Sequence, residues 1–253
     1  MAVAVVAIAL CAQGQARAAL VPVGLELSLL VDVSGSVSST EFALQRGGYV
    51  NAFQNATIQN LITNTPGGIA VNFIYWSGPT EHTEAVGWTH VYDAATANAF
   101  AALVALTPRP YSGNTAPGSA INYAAPLFNS NDYDGARKVI DVSGDGAQNA
   151  GDNTAAARDA ALAGGINTIN GLPILGETGL LAWYQNNIQG GTGSFTEPAA
   201  SFADFADAVN KKLFREISGV PEPGSLALLA IGACGLAGYA RRRKANAAPE
   251  QVA

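Results

Sequence analysis

Five oxygen-bearing side chains, spread from residue 32 to residue 145, could together hold one divalent cation. Asp32, Ser34 and Ser36 form a D-x-S-x-S pattern, and Thr115 and Asp145 follow much later in the chain. Two carboxylates and three hydroxyls are hard oxygen ligands, the set that Mg²⁺ prefers with some waters retained. Two carboxylates also neutralise the ion formally, so an open position could attract an acidic group from a partner. The pattern predicts a Mg²⁺ site, which Mn²⁺ or Ca²⁺ could also fill.

The D-x-S-x-S pattern stands where a strand should end and a helix should begin. Residues 25–33 (LELSLLVDV) form a nearly continuous apolar run, which is typical of a strand covered on both faces. Ser38 and Glu41 then form an S-x-x-E capping box, which predicts a helix to about Phe53. Because alternate residues turn the same way as the chain leaves a strand, three oxygen atoms of this loop can converge.

Strand-like and helix-like segments alternate along the rest of the body, which predicts an α/β domain with a mostly parallel sheet. Ligands bind beyond the carboxyl ends of the strands in such sheets, so the three loops that carry the candidate ligands should meet at one edge. The predicted strands are 69–76, 86–91, 137–142 and 166–174, and the predicted helices are 94–106, 117–128, 152–163 (capped by Asp152) and 201–217 (capped by Ser201).

These residues resemble the metal-ion-dependent adhesion site (MIDAS) of the von Willebrand factor type A (vWA) family. That site is built from a D-x-S-x-S loop, a distant Thr and a later Asp, and the sequence matches it at Asp32, Ser34, Ser36, Thr115 and Asp145. The resemblance covers about residues 25–217 and implies a three-layer Rossmann-like fold with helices on both faces of the sheet. It also implies that the serines and the threonine contact the metal, that the aspartates often act through water, and that a partner's carboxylate often fills the last position.

Two further segments resemble a bacterial branch of the vWA family that has no assigned function. They are residues 141–146 (DVSGDG) and residues 169–174 (INGLPI). Because that branch has no assigned function, this resemblance implies no particular ligand.

The amino-terminal residues 1–18 are typical of a secretory signal peptide. An apolar run leads to Ala16, Arg17 and Ala18, a small-x-small cleavage pattern. No basic residue precedes the apolar run, and a buried amino-terminal strand or helix is the alternative interpretation. With this segment removed, the predicted vWA-like domain covers residues 19–219.

The carboxyl-terminal residues 220–244 have three parts: a PEP motif (Pro221 to Pro223), an apolar run over 225–240, and the basic cluster 241–244. This tail resembles the PEP-CTERM sorting signal of Gram-negative bacteria, which implies recognition by an exosortase-type membrane protease. Basic residues favour the cytoplasmic side, so residues 245–253 would be a cytoplasmic tail and the body would lie outside. A plain membrane anchor is the alternative, and it gives the same topology.

The charge of the body argues against one class of partner. Residues 19–219 contain 8 lysines and arginines against 17 aspartates and glutamates, a net charge of −9. Nucleic acid requires a basic footprint, so no nucleic-acid partner is expected. The body contains no cysteine, since Cys11 and Cys234 lie in the apolar end segments, and its core must therefore stabilise it without disulfides.

These observations favour an exported binding or adhesion protein that is not an enzyme. It would pass through an inner-membrane-anchored intermediate to the cell surface or the extracellular space of a Gram-negative bacterium. Its metal would bind an acidic group on a protein or polysaccharide partner, for example in biofilm matrix. The resemblance of the tail implies this setting, because PEP-CTERM systems accompany exopolysaccharide and biofilm production.

Two alternative functions stay open. A metal-dependent hydrolase is disfavoured because a haloacid-dehalogenase-type phosphotransferase has D-x-D, whereas the third position here is Ser34; G-x-S-x-G is also absent. A structural scaffold whose metal only stabilises the loops is the other alternative.

A second cluster of possible metal ligands contains both histidines of the chain. Glu81, His82, Glu84 and His90 have a spacing that could bind Zn²⁺. Polar side chains in a loop and an edge strand are more often simply solvated, and we expect that here.

Overall fold

A computed structural model of the chain describes residues 19–219. The predicted signal peptide (1–18), sorting tail (220–244) and cytoplasmic tail (245–253) lie outside the described residues. Within 19–219, no helix is both long and apolar enough to cross a membrane.

A six-stranded mixed sheet forms the centre of the domain. Residues 19–219 contain eight strands, of which six form this sheet. They are β1 (Val21–Val23), β2 (Leu25–Asp32), β3 (Ile69–Trp76), β4 (His82–Val91), β5 (Tyr133–Gly135), β6 (Lys138–Gly144), β7 (Thr168–Pro173) and β8 (Gly190–Gly191). The order in the main sheet is β4-β3-β2-β6-β7-β8, and its four inner strands are parallel while β4 and β8 are antiparallel edges. A separate parallel pair joins β1 to β5. The predicted α/β fold with a mostly parallel sheet is confirmed.

Helices cover both faces of the sheet, which makes the three-layer arrangement. They are α1 (Ser39–Gln54), α2 (Ala56–Asn64), α3 (Ala94–Ala105), α4 (Pro117–Ala124), α5 (Thr154–Ala163), α6 (Leu180–Asn187) and α7 (Phe205–Ser218). One core cluster lies between the sheet and α1, α2, α3 and α7, and a second lies between the sheet and α4, α5 and α6. All eight residues of β2 are buried because both of its faces are covered.

The alternation of side chains along β2 decides which groups reach which layer. Leu25, Leu27, Leu29 and Val31 face the α1 and α7 layer, whereas Leu30 faces the α4 and α6 layer. Asp32 lies two residues after Leu30, so its side chain points to the same face of the sheet. Its carboxylate therefore enters the α4 and α6 layer at the carboxyl end of the strand.

The start of α1 is the part of the local structure that the sequence predicts most directly. The Ser38 hydroxyl accepts a hydrogen bond from the Glu41 amide (3.2 Å), and a Glu41 carboxylate oxygen accepts one from the Ser38 amide (2.8 Å). The predicted capping box is therefore present, and it fixes the point at which the D-x-S-x-S loop becomes a helix.

Two predicted helix caps are wrong. Asn153, not Asp152, caps α5 by accepting a hydrogen bond from the Ala156 amide, while the Asp152 carboxylate is held by Ser119. Ser201 begins a short 3₁₀ turn, and its hydroxyl donates to a carboxylate rather than accepting from the backbone. The α-helix consequently starts four residues later than predicted.

Other differences follow from local chemistry. The predicted helix 117–128 ends at Ala124 and continues as a 3₁₀ turn to Asn129, because Pro126 has no amide to continue the α-helical ladder. The edge strand β4 begins at His82, earlier than residue 86. The helices α2 and α6 and the short strands β1, β5 and β8 were not predicted.

Both ends of the described chain lie at the amino edge of the sheet. Residues 21–23 lead directly into the start of β2, and α7 finishes beside Arg137, which immediately precedes β6. The Arg137 guanidinium donates to the Glu216 and Ile217 carbonyl oxygens, at 2.8 and 2.9 Å. The three loops with the candidate ligands lie at the opposite, carboxyl edge.

Candidate metal centre

The loop after β2 is held in a compact turn by its own polar groups. The Ser34 amide donates to Asp32 Oδ1 at 2.7 Å, and the Ser34 and Ser36 hydroxyl oxygens lie 3.2 Å apart. Asp and Ser side chains commonly stabilise such turns. Here the turn places the two serine hydroxyls next to each other at the rim of the sheet.

Asp145 joins this loop from the neighbouring strand. Since β6 pairs in parallel with β2, the residues that follow the two strands come out side by side. The Ser36 hydroxyl donates to Asp145 Oδ1 at 2.7 Å. Ser34, Ser36 and Asp145 therefore form one continuous chain of polar contacts, although Asp145 is distant in the sequence.

Thr115 approaches from the segment that precedes α4. The Gly35 amide donates to the Gly113 carbonyl oxygen at 2.8 Å, which ties this segment to the first loop. Thr115 lines the same cleft as Ser36 and Asp145, a cleft with a volume of about 740 Å³. The structure thus brings the three loops together at one edge of the sheet, and cation binding there remains a prediction.

Asp32 lies beneath this rim and is fully buried. Its Oδ2 atom has no hydrogen-bond partner among residues 19–219, and neither has the Tyr184 hydroxyl oxygen. A Cβ at Gly144 would stand 2.7 Å from Asp32 Oδ2 and 2.8 Å from that hydroxyl, so a glycine is required at this position. A buried carboxylate oxygen without a partner is costly, and a cation is one way to satisfy it.

The carboxylates of the site repel one another and are poorly solvated. Burial, together with the charge of Asp145, raises the pKa of Asp32 to about 7 against the opposing hydrogen bond from the Ser34 amide. Burial also raises the pKa of Asp145, against the Ser36 hydroxyl, and the charges of Glu41 and Glu177 add to the increase. A site with this excess of negative charge suits a positive ion.

Sequence reasoning missed several residues that position the candidate ligands. The Arg109 guanidinium donates to the Val33 and Ser34 carbonyl oxygens (2.9 and 2.7 Å) and so braces the first loop from outside. The Asn149 amide oxygen accepts from the Thr115 backbone amide at 2.9 Å. These contacts run between segments distant in sequence, and a single sequence carries no signal for them.

The second cluster of possible ligands does not assemble. The His82 ring stacks on an aromatic ring at the α4 layer, His90 Nε2 bonds to a backbone carbonyl oxygen, and Glu84 accepts a hydrogen bond from Asn72. Glu81 accepts one from a backbone amide in its own turn. Within the described part of the chain, no group of three or more His, Cys, Asp or Glu side chains is placed to hold a metal. The Zn²⁺ alternative is therefore not supported.

Comparison with family models gives two matches. A family described as "Protein of unknown function (DUF1194)" matches residues 22–221, and the PEP-CTERM protein-sorting motif matches residues 219–244. The second match identifies the tail as a signal for export and sorting. No curated protein is detectably similar in sequence to the chain.

Solved structures with vWA folds resemble the domain. The pilus adhesin SpaC from Lactobacillus rhamnosus GG has 18% identity and a TM-score of 0.57, over 76% of this chain and 30% of that protein. Proximal thread matrix protein 1 from the mussel byssus, described with a zinc-occupied MIDAS motif, has 15% identity and a TM-score of 0.54, over 77% and 45%. A von Willebrand factor type A protein from Catenulispora acidiphila has 14% identity and a TM-score of 0.53, over 76% and 42%. The chain spans less than half the length of each, and the likeness shows a vWA-like fold.

Proposed function

Because this chain belongs to the DUF1194 family and carries a vWA-like fold with an export signal, we propose that it is a non-enzymatic binding protein of the cell envelope or extracellular matrix. It would use a Mg²⁺-type cation at the carboxyl edge of its sheet to bind an acidic group on a protein or polysaccharide. The observation that carries the proposal is the polar chain Ser34–Ser36–Asp145 above the unpaired oxygen of buried Asp32.

The residues of the site fit a Mg²⁺ ion. The donor set is Asp32, Ser34, Ser36, Thr115 and Asp145, and all of its side-chain donors are oxygen atoms. The ion, when bound, would supply a positive centre with an open position for an anionic ligand, and Mn²⁺ or Ca²⁺ has the same preference for oxygen. The raised pKa values of Asp32 and Asp145 are those of carboxylates that lack a counter-charge.

The surroundings of the site favour binding over hydrolysis. The cleft is lined by exposed apolar side chains, Leu44 and Leu175, as well as by polar ones, which suits a macromolecular ligand. Neither histidine lines it, so the general base most often used in hydrolysis is not at hand. The adhesin and matrix proteins that share the fold are consistent with a binding role.

The sorting tail supports a location of this proposed activity outside the cytoplasm. We propose that an exosortase-type protease recognises residues 220–244, that the apolar segment holds the protein in the inner membrane until then, and that the domain finally lies at the cell surface or in the matrix of a Gram-negative bacterium.

Calorimetry with Mg²⁺ is the first test of the proposed function. Asp145→Asn should weaken Mg²⁺ binding by roughly tenfold or more, while the protein stays folded because Asp145 is partly exposed at the rim. Asp159→Asn, which alters an exposed carboxylate on the outer face of α5, is the matched control and should bind as the wild type does. Equal affinities for all three proteins would refute the assignment of the site.

A second assay tests the ligand class. Surface-immobilised polyglutamate and alginate, both carboxylated polymers, should retain the protein with Mg²⁺ and release it with EDTA, whereas neutral dextran should not retain it. Retention that persists in EDTA would contradict a metal-mediated contact. A Mg²⁺-dependent rise in melting temperature without retention would favour the scaffold alternative.

A further inference from the structure

A second group of charged side chains lies inside the other layer of the domain, away from the candidate metal centre. Lys212 of α7 is fully buried, with Nζ 2.6 Å from Asp141 Oδ1 on β6 and 2.5 Å from Glu216 Oε1, one helical turn further along α7. Glu216 Oε1 also accepts a hydrogen bond from the Asn170 side chain at 2.8 Å. Asp141 and Asn170 are direct neighbours across β6 and β7.

An ordinary ion pair is a poor description of this group. The side chains of Lys212, Asp141 and Glu216 are at most 1% exposed, so no charge among them reaches water. Among these three side chains one ammonium faces two carboxylates, with the Arg137 guanidinium as a further positive charge near Glu216, and burying charges costs more than an imperfect pair returns. Burial, opposed by Lys212, raises the pKa of Asp141, which favours its neutral acid form.

The contact between Lys212 and Asp141 is short and direct. Lys212 Nζ stands 2.6 Å from Asp141 Oδ1, and its charge and hydrogen bonding oppose the effect of burial on the pKa of Asp141. An aromatic side chain, Phe195, lies alongside Nζ, with its ring centre 5.8 Å away. Lys212 thus offers a nucleophilic amine, Asp141 a carboxyl carbon and Glu216 a carboxylate that can carry protons, and all three are buried away from water.

We propose that Lys212 and Asp141 join in an intramolecular isopeptide bond, with Glu216 as the group that moves the protons. The step starts with Lys212 as the ammonium, Asp141 as the neutral acid and Glu216 as the carboxylate. Glu216 takes a proton from the Lys212 ammonium, and the free amine adds to Cγ of the protonated Asp141. Glu216 then gives a proton to the departing hydroxyl and takes one from the new C–N centre. The C–N bond forms, one C–O bond breaks, one water leaves, and no oxidant or reductant takes part.

The bond would tie the sheet to the last helix. It closes a loop from residue 141 to residue 212 and so joins β6 to α7, the helix that leads into the sorting tail. The bond is independent of the cation site, because Asp141 faces the α1 and α7 layer whereas Asp32 faces the α4 and α6 layer.

Mass spectrometry of a tryptic digest of the purified, denatured protein tests the proposal directly. Trypsin should release peptide 139–158 linked to peptide 212–215, with the mass of the two peptides less one water molecule. The linked lysine should also resist cleavage after Lys212. Recovery of peptide 139–158 in unlinked form only, together with full cleavage after Lys212, would overturn the proposal.

Two variants separate the parts of the mechanism. Lys212→Met keeps a long, unbranched side chain but removes the nucleophilic amine, so only unlinked peptide 139–158 is expected. Glu216→Gln keeps Lys212 and Asp141 but removes the proton carrier, and we expect loss of most of the linked peptide. A linked peptide at the wild-type level in Glu216→Gln would refute the role of Glu216, and the digest of the wild type remains decisive if either variant fails to fold.

Discussion

The affinity of the candidate site for Mg²⁺ should fall as the pH is lowered from 8 to 6. In the metal-free protein, burial raises the pKa of Asp32 from its ordinary value of 3.8 to about 7. A cation and a proton compete for this carboxylate, since a metal ligand must be deprotonated. Acidification over this range therefore removes the form of the protein that binds the ion.

The size of the effect follows from the titration of Asp32. With a pKa of about 7, the carboxyl is about nine-tenths ionised at pH 8 and about nine-tenths protonated at pH 6, so the Kd for Mg²⁺ should rise about tenfold. Asp145, whose pKa is also raised, acts in the same direction. At pH 7 roughly half a proton should be released from Asp32 for each ion bound.

The same shift makes an opposite prediction for the metal-free protein. The folded-state pKa of Asp32 lies above its unfolded value, so the folded state binds more protons between about pH 4 and pH 7. The contribution of Asp32 to stability is thus greatest at the acidic end and is lost as the pH rises through about 7. Mg²⁺ should restore that stability at pH 8.

Isothermal titration calorimetry at pH 8, 7 and 6, in buffers of different ionisation enthalpy, measures both the Kd and the proton release. Circular dichroism at each pH provides the control that the fold is unchanged. A Kd that changes less than about twofold over this range, with no proton release, would show that Asp32 does not face the ion.

Four substitutions give further predictions. Gly144→Ala would place a Cβ 2.7 Å from Asp32 Oδ2, so it should lower the unfolding free energy by ~1–3 kcal/mol and weaken Mg²⁺ binding, as measured by urea denaturation and calorimetry. Gly47→Ala in the middle of α1 meets no atom within 4 Å and should raise the unfolding free energy by ~0.5–1 kcal/mol. Gly48→Ala would meet an aromatic ring of α7 at 2.8 Å and should lower the unfolding free energy. Equal melting temperatures for the two variants would contradict this packing. Arg109→Met removes the brace on the first loop and leaves the Val33 and Ser34 carbonyl oxygens without this donor. It should weaken Mg²⁺ binding roughly tenfold and lower the melting temperature, while wild-type affinity would show that the brace is dispensable for binding.

The strands and the candidate ligands could be predicted because their signals are local or follow from sheet order. The apolar run of β2 and the capping box of Ser38 and Glu41 each occupy a few adjacent residues. Thr115 and Asp145 were predicted through the motif and through the rule that ligands bind at the carboxyl edge of parallel strands. The sequence alone could not show that Asp32 is buried with an unpaired oxygen, since that depends on Gly144 and Tyr184.

The remaining features depend on contacts that no local pattern reports. Asp152 and Asn153 are adjacent and both suit a helix cap, and a tertiary contact with Ser119 decides between them. Lys212 follows another lysine, and such a pair is normally solvated, so its burial beside Asp141 cannot be read from the helical periodicity of α7.

The position of the two chain ends has a mechanical consequence. An attachment made through residue 220 and beyond would hold the domain from the amino edge of its sheet, whereas a ligand bound in the cleft, as we propose, would pull from the carboxyl edge. The load then runs along the strands, and the parallel ladders between β2, β3 and β6 share it over their whole length instead of opening one hydrogen bond at a time. A domain held in this way is arranged to resist tension between a surface and what is bound to it.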